Sequence, residues 1–272
     1  MGRYLEFDVG NSFCKWRLIQ NQQVLNRGKI VTKELEALSI NEEGNKSCLS
    51  AQSKAWLLTQ ESFKDIANQQ LDGVYVCSVA SDKCNQVLGQ LSRELLQLEA
   101  NVFKTQHQTA GVKNSYKDPS KMGADRWLVS ISAAHKYPGK YLYVVDCGSA
   151  INIEILSQDA THMGGYIIPG INMMQNTLLN NTAKVSKALR ELSLQPGKET
   201  GSNVANGSML AAIAVIEKLQ RKAEQENGLV LLTGGDAPLL KNYLDMSNIA
   251  FVEDLVLDGF ECWRQVLKND TN

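Results

Sequence analysis

The sequence predicts an α/β protein built from two similar halves with a cleft between them. Apolar runs at Tyr4–Asp8 and Tyr141–Val145 are each typical of a buried strand. Both runs lead into Asp-x-Gly followed by small polar residues, and the two aspartates, Asp8 and Asp146, lie about half the chain length apart. Each half then continues as strand, strand, helix, strand, helix, so internal duplication is the simplest interpretation.

The first half is predicted to contain three strands joined by tight turns, followed by alternating helix and strand. These elements are strands Tyr4–Asp8, Cys14–Ile19 and Val24–Val31, helix Ala55–Ala67, strand Gly73–Ala80, helix Cys84–Leu98 and a short strand at Val102 and Phe103. Asn41–Ser53 is polar, which predicts a loop. Thr105–Met122 is polar and lacks periodicity, and a loop of that length in a compact domain is usually functional.

The second half is predicted to repeat the pattern after a helix over Trp127–Lys136. Its elements are strands Tyr141–Val145, Ala150–Leu156 and His162–Ile168, a helix from Pro169 to about Asn181, helix Gly207–Glu226, strands Leu229–Leu232 and Ile249–Val252, and helix Leu255–Leu267. We place the domain boundary between residues 122 and 123. The two predicted domains are therefore 1–122 and 123–272, with the helical segment Gly123–Pro138 at the junction.

Composition excludes several classes of protein. The 28 basic and 29 acidic residues give a formal net charge of −1, which argues against a nucleic-acid binder and against a polybasic membrane protein. No apolar run approaches the roughly 20 residues of a membrane helix, and the first residues do not resemble a signal peptide. The six cysteines form no C-x-x-C pair. We therefore expect reduced thiols and a cytoplasmic protein.

The first candidate site is Asp8-Val9-Gly10-Asn11-Ser12 at the end of the first strand. Ligands of α/β sheets bind beyond the carboxyl ends of strands, which is where Asp8 is expected. Gly10 allows the backbone to approach a phosphate, while Asn11, Ser12 and the nearby Lys15 add donors and positive charge. A carboxylate repels phosphate, so Asp8 is expected to act through hydrated Mg²⁺. The alternative for this pentapeptide alone is an ordinary Asx turn.

Two further glycine turns belong to the second half. Asp146-Cys147-Gly148-Ser149 repeats the first turn, and two such turns facing each other would form a two-sided phosphate clamp. Thr233-Gly234-Gly235-Asp236 follows a buried strand and precedes a helix, so a flat group can approach its backbone. Each turn taken alone is also compatible with a plain structural role.

Gly123-Ala124-Asp125-Arg126 lies where the long polar segment enters a helix. Asp125 can accept a proton from a substrate hydroxyl during phosphoryl transfer. Arg126 can hold an anionic group through a bidentate contact. The alternative is a helix-capping Asp followed by a solvated Arg.

The ordered set of motifs resembles type III pantothenate kinase, a family of the acetate and sugar kinase/Hsp70/actin superfamily. The resemblance spans nearly the whole chain through Asp8–Ser12, Gly123–Arg126, Asp146–Ala150, Gly164–Gly170, Thr233–Asp236 and Asp254–Gly259. It implies two duplicated ribonuclease H-like α/β domains of the actin-like ATPase superfamily. It also implies ATP-dependent phosphorylation of pantothenate to 4′-phosphopantothenate, the first step of coenzyme A biosynthesis.

The resemblance assigns roles to individual residues. It implies that Asp125 is the general base and that Asp146 binds a monovalent cation, K⁺ or NH₄⁺. The residues that it implies for ATP and its Mg²⁺ are Asp8, Val9, Gly10, Asn11, Ser12, Phe13, Cys14, Lys15 and Ser149. Those implied for pantothenate are Tyr116, Gly123, Ala124, Asp125, Arg126 and Thr182. The resemblance further implies a homodimer.

Two other functions stay open at the level of sequence. One is a different small-molecule kinase of the same superfamily, acting on a sugar or acyl group. The other is a regulatory accessory protein without catalysis, which the presence of Asp8, Asp125 and Asp146 disfavours. The histidines His107, His135 and His162 show no metal-ligand spacing. We expect structural or surface roles for His107 and His135, and we interpret His162 as a residue at the end of a strand.

Overall fold

The computed structural model describes residues 2–43, 46–59, 66, 69–181 and 193–270. The chain divides into two compact units. The first unit comprises Met1–Thr105 and Ser120–Trp127, and the second comprises Gln106–Pro119 and Leu128–Asn272. The boundary predicted between residues 122 and 123 stays a prediction.

The first unit contains a five-stranded sheet with the order β3-β2-β1-β6-β7. The strands are β1 (Arg3–Val9), β2 (Phe13–Gln20), β3 (Gln23–Val31), β6 (Gly73–Ser78) and β7 (Ala100–Val102). The first three are antiparallel neighbours, while β6 runs parallel to β1 and β7 parallel to β6. Helices α1 (Thr32–Glu36), α2 (Ala51–Thr59) and α3 (Asp82–Leu95) complete this part.

The second unit repeats this topology with the order β12-β11-β10-β13-β14. Its sheet consists of β10 (Leu142–Cys147), β11 (Ala150–Leu156), β12 (His162–Pro169), β13 (Leu229–Thr233) and β14 (Ile249–Phe251). The helices are α4 (Ala124–Lys136), whose first residues belong to the first unit, α5 (Ile171–Asn181), α6 (Thr200–Gln225), α7 (Ala237–Leu240) and α8 (Leu255–Asp270). The predicted duplication is thus present in strand order and in direction.

Alternation along the strands explains how each unit forms its core. In β1, Leu5, Phe7 and Val9 point to one face and are buried against α3 and its neighbours, while Glu6 and Asp8 belong to the other face. In the second unit, Tyr143, Val145 and Cys147 of β10 pack with the apolar side of α6. Asp8 and Asp146 therefore sit on the face opposite the main core of their sheet.

The loop predicted over Asn41–Ser53 is wrong. Strands β4 (Ile40–Glu43) and β5 (Lys46–Leu49) form an antiparallel hairpin there, and α2 begins at Ala51. The two strands read Ile-Asn-Glu-Glu and Lys-Ser-Cys-Leu, so their sequence lacks the alternation that marks a half-buried strand. Leu49 anchors it, because its side chain is buried and its amide donates to Glu94 Oε1 at 2.8 Å.

Two other boundaries differ from the prediction. The polar segment Thr105–Met122 contains a short hairpin of β8 (Gln108–Thr109) and β9 (Val112–Lys113), and a 3-10 turn over Pro119–Lys121. Helix α6 begins at Thr200, seven residues before the predicted start. Most of the predicted range beyond Thr59 in the α2 region lies outside the described residues.

Candidate active site

The turn after β1 is fixed by hydrogen bonds from Thr32, the first residue of α1. Gly10 N donates to Phe13 O at 3.0 Å, which closes the turn. Thr32, which is buried, donates from its hydroxyl to Gly10 O at 2.7 Å and from its amide to Ser12 O at 3.0 Å. Two turn carbonyls are thereby satisfied by protein groups, so this loop has a fixed shape. Sequence analysis missed Thr32, since it lies twenty residues further along the chain.

The eight residues of the first turn and strand β2 that are predicted for ATP, Asp8 to Lys15, differ in how far they are buried. Val9 and Cys14 are fully buried in the core of the first unit, so only their main chain is available to a ligand. Burial raises the pKa of the Cys14 thiol well above its usual value, and the charges of Cys84 and Asp8 add to the effect. Asn11, Ser12 and Phe13 are exposed, while Asp8, Gly10 and Lys15 are half-buried.

Asp125 lies in the first turn of α4, two residues after Gly123. Trp127 N donates to Gly123 O at 3.1 Å, and Arg126 N donates to Asp125 Oδ1 at 2.8 Å. A Cβ added to Gly123 would lie 2.5 Å from Asp125 Oδ1, so the carboxylate occupies space that only glycine leaves open. Arg126 is 8% exposed, so the alternative of a solvated arginine is wrong.

Two of the predicted aspartates come together around Cys77 in β6. The Cys77 thiol is fully buried, and burial raises its pKa well above the usual value. The negative charges of Asp8 and Asp125 raise it further. Asp8 is the register neighbour of Cys77 across the parallel β1–β6 pair. A Cβ on Gly123 would lie 3.6 Å from Val79, the residue after β6, so the predicted phosphate turn and the start of α4 lie at the same edge of the first sheet.

The turn after β10 is one residue shorter than its counterpart. Gly148 N donates to Ala150 O at 2.9 Å, and Ser149 is exposed. Gly170, at the end of the predicted Gly164–Gly170 motif, lies directly against the turn, since a Cβ there would be 2.2 Å from Gly148 O. Gly170 N also donates to Ser149 O at 3.1 Å. The motif thus supports the second turn.

The Thr233–Asp236 turn packs beside Asp146. Gly234 has a φ of +94°, and a Cβ there would lie 2.4 Å from Asp146 Oδ1 and from Cys147 O. Asp236 N donates to Cys147 O at 2.9 Å. Burial raises the pKa of the Asp236 carboxyl. It also raises the pKa of the Cys147 thiol, with further contributions from Asp146 and Asp236. Glycine is required here because the turn approaches the Asp146 carboxylate so closely.

The residues predicted for pantothenate fall in both units. Gly123, Ala124, Asp125 and Arg126 belong to the first unit, while Tyr116 belongs to the second. Thr182 lies outside the described residues. Tyr116 is half-buried, and its ring lies 6.1 Å from the ring of His162.

Sequence analysis missed the surroundings of His162, which it treated as an ordinary strand-end residue. His162 is buried, its Nε2 lies 2.8 Å from Glu154 Oε2, and its Nδ1 lies 2.9 Å from Ser115 Oγ. Of the described residues, no three His, Cys, Asp or Glu side chains form a group suited to a metal ion.

Comparison with known proteins gives the family. The type III pantothenate kinase model matches residues 4–222. The chain belongs to the type III pantothenate kinase family. A type III pantothenate kinase of Pseudomonas putida strain F1 is 34% identical over 264 residues, which cover 94% of this chain and 96% of that protein.

Two solved structures support the fold. A Campylobacter jejuni protein described as a conserved Baf family transcriptional activator has a TM-score of 0.54 at 17% identity, covering 98% of this chain and 99% of its own. MreB 5 of Spiroplasma citri, bound to AMPPNP, has a TM-score of 0.50 at 8% identity, covering 100% and 98% of the two chains. The predicted actin-like α/β fold with duplicated halves is confirmed.

Family membership confirms several predictions. They are the predicted family, the enzyme class of phosphotransferases, the use of ATP, and pantothenate phosphorylation in coenzyme A biosynthesis as the family's reaction. In the part of the chain that the structure describes, no helix has the length and apolar character needed to cross a membrane.

Proposed function

We propose that this chain transfers the γ-phosphoryl group of ATP to the primary hydroxyl of pantothenate, with Asp125 as the general base. The observation that carries the proposal is that Asp8 and Asp125 lie at the same edge of the first sheet. Asp8 pairs in register with Cys77 near the end of β6, and a Cβ on Gly123 would lie 2.5 Å from Asp125 Oδ1 and 3.6 Å from Val79, which follows β6. Phosphoryl transfer needs a group on the phosphate side and a group that accepts the hydroxyl proton. Two carboxylates at one edge of the sheet, one on a phosphate-type turn and one at a helix start, supply that pair.

ATP contacts are assigned to the first turn and to Ser149. Asn11 and Ser12 present exposed side-chain donors, and Lys15 adds positive charge beside Asp8 in the antiparallel register. Val9 and Cys14 contribute main-chain groups only, because their side chains are buried. Phe13 is exposed and borders the turn. Because the carbonyls of Gly10 and Ser12 accept hydrogen bonds from Thr32, this loop keeps one shape. Phosphate binding then costs little conformational entropy.

The carboxylates fit the two predicted cations. Mg²⁺ in kinases is held by one or two carboxylates, waters and substrate phosphates, and a single half-buried Asp8 suits that role. Asp146 suits a monovalent cation, because Gly234 leaves room around its Oδ1 that a Cβ would fill. When bound, the cations offset negative charge on the transferring phosphoryl group. Asp8 and Asp146 would hold these cations near the ends of β1 and β10.

Pantothenate is assigned to Gly123, Ala124, Asp125, Arg126, Tyr116 and Thr182. Gly123 leaves the Asp125 carboxylate open for a substrate hydroxyl, as the close approach of Asp125 Oδ1 indicates. Arg126 is buried and permanently charged, which suits an anionic partner such as a carboxylate or the arriving phosphate. A half-buried Tyr116 offers both an apolar ring and a hydroxyl.

A homodimer is supported by the outer strand of the second sheet. Tyr166 and Ile167 of β12 are 58% and 59% exposed, although they point to opposite faces of the strand. Met173 and Leu178 of α5 are also exposed, and a groove of about 500 Å³ between α5 and α6 is lined by Met174, Leu178 and Val204. Clustered exposed apolar residues mark association sites. The six cysteines are thiols and not disulfides, which together with the ATP donor supports a cytoplasmic location.

The general base is tested by Asp125→Asn in a pantothenate phosphorylation assay with ATP and Mg²⁺, with and without K⁺. Asn keeps the shape and removes the proton acceptor, so we expect kcat to fall by about 10² to 10⁴. Asp82→Asn is the matched control, because Asp82 is an exposed aspartate in the first turn of α3 in the same unit. We expect the control to keep native kcat.

Other outcomes separate the alternatives. A native kcat in Asp125→Asn would mean that another residue is the general base and that the protein is still a pantothenate kinase. Turnover of a sugar or acyl substrate in preference to pantothenate would favour the other kinase. A folded native protein that binds ATP but turns over none of these substrates would favour the accessory function.

A further inference from the structure

Three side chains outside the phosphate turns form a continuous hydrogen-bond chain in the second unit. Glu154 is 1% exposed and His162 is 0% exposed, and the two are joined at 2.8 Å. The other ring nitrogen of His162 lies 2.9 Å from the hydroxyl of Ser115, which is otherwise exposed. A buried acid and a buried imidazole are costly unless both are well bonded, so this chain has a fixed geometry.

The fold builds this chain through an irregularity in the β11–β12 pair. The register shifts between Ile155 and Leu156, and Gly164 has a φ of +112°. Opposite Glu154 lies Gly165, where a Cβ would be 2.1 Å from Ile153 O and 2.9 Å from Glu154 Oε2. The Glu154 side chain therefore passes over a position where any residue but glycine would block it. Gly164 and Gly165 thus serve the acid–imidazole contact.

The hydrogen-bond chain has a direction. A carboxylate only accepts hydrogen bonds, so Nε2 of His162 carries the hydrogen in the bond to Glu154. In the neutral imidazole Nδ1 is then the acceptor, and Ser115 donates its hydroxyl hydrogen to it. Glu154 fixes the tautomer and ring orientation of His162, and His162 fixes Ser115.

Ser115 precedes Tyr116, and both lie in the segment Gln106–Pro119. Tyr116 N donates to Asn114 Oδ1 at 2.9 Å, and its ring lies against the ring of His162. The same segment is also attached away from Tyr116, since Lys113 N donates to Ala160 O and His135 Nε2 contacts Ala110 O at 2.7 Å. The Ser115–His162 bond attaches the segment at the residue next to Tyr116.

We propose that Glu154 and His162 are positioning residues for pantothenate, which fix Ser115 and thereby hold Tyr116 in its substrate-binding orientation. This inference rests on the proposed assignment of Tyr116 to the pantothenate pocket. Glu154 and His162 act through the segment and take no part in proton transfer. Their loss therefore raises KM for pantothenate and leaves KM for ATP at its native value.

The test begins with two substitutions that break the hydrogen bond between Ser115 and His162, one from each side. Gln at position 162 places an amide donor near the Nε2 position and offers Ser115 no acceptor, so His162→Gln keeps the Glu154 bond and breaks the Ser115 bond. Ser115→Ala breaks the same bond from the other side. We expect each to raise KM for pantothenate about fivefold to tenfold, the effect of one lost hydrogen bond. The double variant is expected to match the single variants, because both remove one interaction.

Glu154→Gln tests the far end of the chain. A Gln amide can donate as well as accept, so it no longer fixes the tautomer of His162. We expect a rise in KM for pantothenate of about threefold to tenfold with kcat within about twofold of native. Calorimetric binding of pantothenate to the same variants gives a readout independent of turnover.

His135→Ala is the control, since it removes a histidine contact to the same segment away from Tyr116. We expect its KM for pantothenate to stay native. Equal increases in KM for pantothenate in His135→Ala and His162→Gln would mean general loosening of the segment and would overturn the proposal. Native KM for pantothenate in folded His162→Gln and Ser115→Ala would also overturn it, as would additive effects in the double variant.

Tyr116→Ala separates this inference from the assignment on which it rests. A higher KM for pantothenate in Tyr116→Ala, together with a native value in His162→Gln, overturns the positioning role alone. A native KM in Tyr116→Ala overturns both the assignment and the positioning role. Higher values in Tyr116→Ala, His162→Gln and Ser115→Ala, with the control unchanged, support both.

Discussion

The outer strands of the two sheets occupy the same place in one topology but differ in chemistry. Strand β3 carries Arg27 and Lys29, whereas β12 reads His-Met-Gly-Gly-Tyr-Ile-Ile-Pro and contains no Asp, Glu, Lys or Arg. Charged residues on an edge strand prevent pairing with another sheet, and their absence leaves the edge open to association. The duplicated fold has therefore kept a protected edge in one unit and an apolar edge in the other.

A second contrast concerns the buried ionisable pair in each sheet. In the first sheet Glu6 and Arg17 face each other directly across β1 and β2, with Nε and Oε2 2.6 Å apart. In the second sheet Glu154 and His162 meet across an irregular part of β11 and β12. The second pair continues to Ser115 on a separate segment. We infer that the first pair serves the stability of its sheet and the second serves a substrate contact.

The largest expected effect comes from breaking the first pair with Arg17→Met. The Glu6 carboxylate is fully buried, and the substitution removes the charged group that lies 2.6 Å from it. We expect the free energy of unfolding to fall by about 3–5 kcal/mol, measured by urea denaturation.

A double variant of each pair sharpens the contrast. Glu6→Leu with Arg17→Met replaces the whole ion pair by apolar groups, and we expect most of the lost stability to return. The corresponding Glu154→Leu with His162→Met is expected to leave KM for pantothenate raised, because Ser115 still lacks its acceptor. Recovery of native KM in the second double variant would contradict the distinction between the pairs.

The sequence predicted the features that short motifs signal, but it did not predict contacts between residues that are far apart along the chain. The duplication was predictable because Asp8 and Asp146 each end an apolar strand of the same type. Thr32 beneath the first turn and Ser115 beside His162 were not predictable, because each contact joins residues far apart in sequence. The bulge at Ile155 that brings Glu154 to His162 has no separate sequence signal beyond the Gly164-Gly165 pair.

Each outer strand has a glycine that pairs with a large side chain of the neighbouring strand, and replacing it by alanine is expected to have a smaller effect on stability. Gly165 faces Glu154, and a Cβ would lie 2.1 Å from a backbone carbonyl; Gly28 faces Trp16, and a Cβ would lie 2.6 Å from the buried indole ring. We expect Gly165→Ala and Gly28→Ala each to lower the free energy of unfolding by about 1–3 kcal/mol.

The kinetics should differ between these two glycine variants. Gly165→Ala displaces the Glu154 carboxylate, so KM for pantothenate is expected to rise as it does in Glu154→Gln. Gly28→Ala disturbs only the packing around Trp16, so its KM is expected to stay native. A steady-state assay on folded samples of both variants, at a temperature well below either melting transition, checks this difference. The same change in KM for both would show that strand distortion alone affects the substrate.

The smallest expected effect in free energy concerns the apolar edge. Ile167→Lys places a charge on β12, which we expect to weaken the proposed homodimer about tenfold or more, equivalent to about 1.4 kcal/mol. Leu25→Lys is the matched control, because Leu25 is an exposed apolar residue, at 48%, on the outer strand of the first sheet. Sedimentation equilibrium over a range of protein concentrations measures both dissociation constants.

The two lysine variants test whether the difference between the edges matters for assembly. If β12 forms the contact, only Ile167→Lys shifts the equilibrium toward monomer, since β3 already carries charge and is not expected to pair. Equal shifts in both variants would mean that added charge weakens association through general repulsion, and a native protein that stays monomeric would remove the dimer altogether. Assaying KM for pantothenate across the dissociation range then tells whether the substrate pocket needs the second subunit, because a KM that rises with dilution requires it.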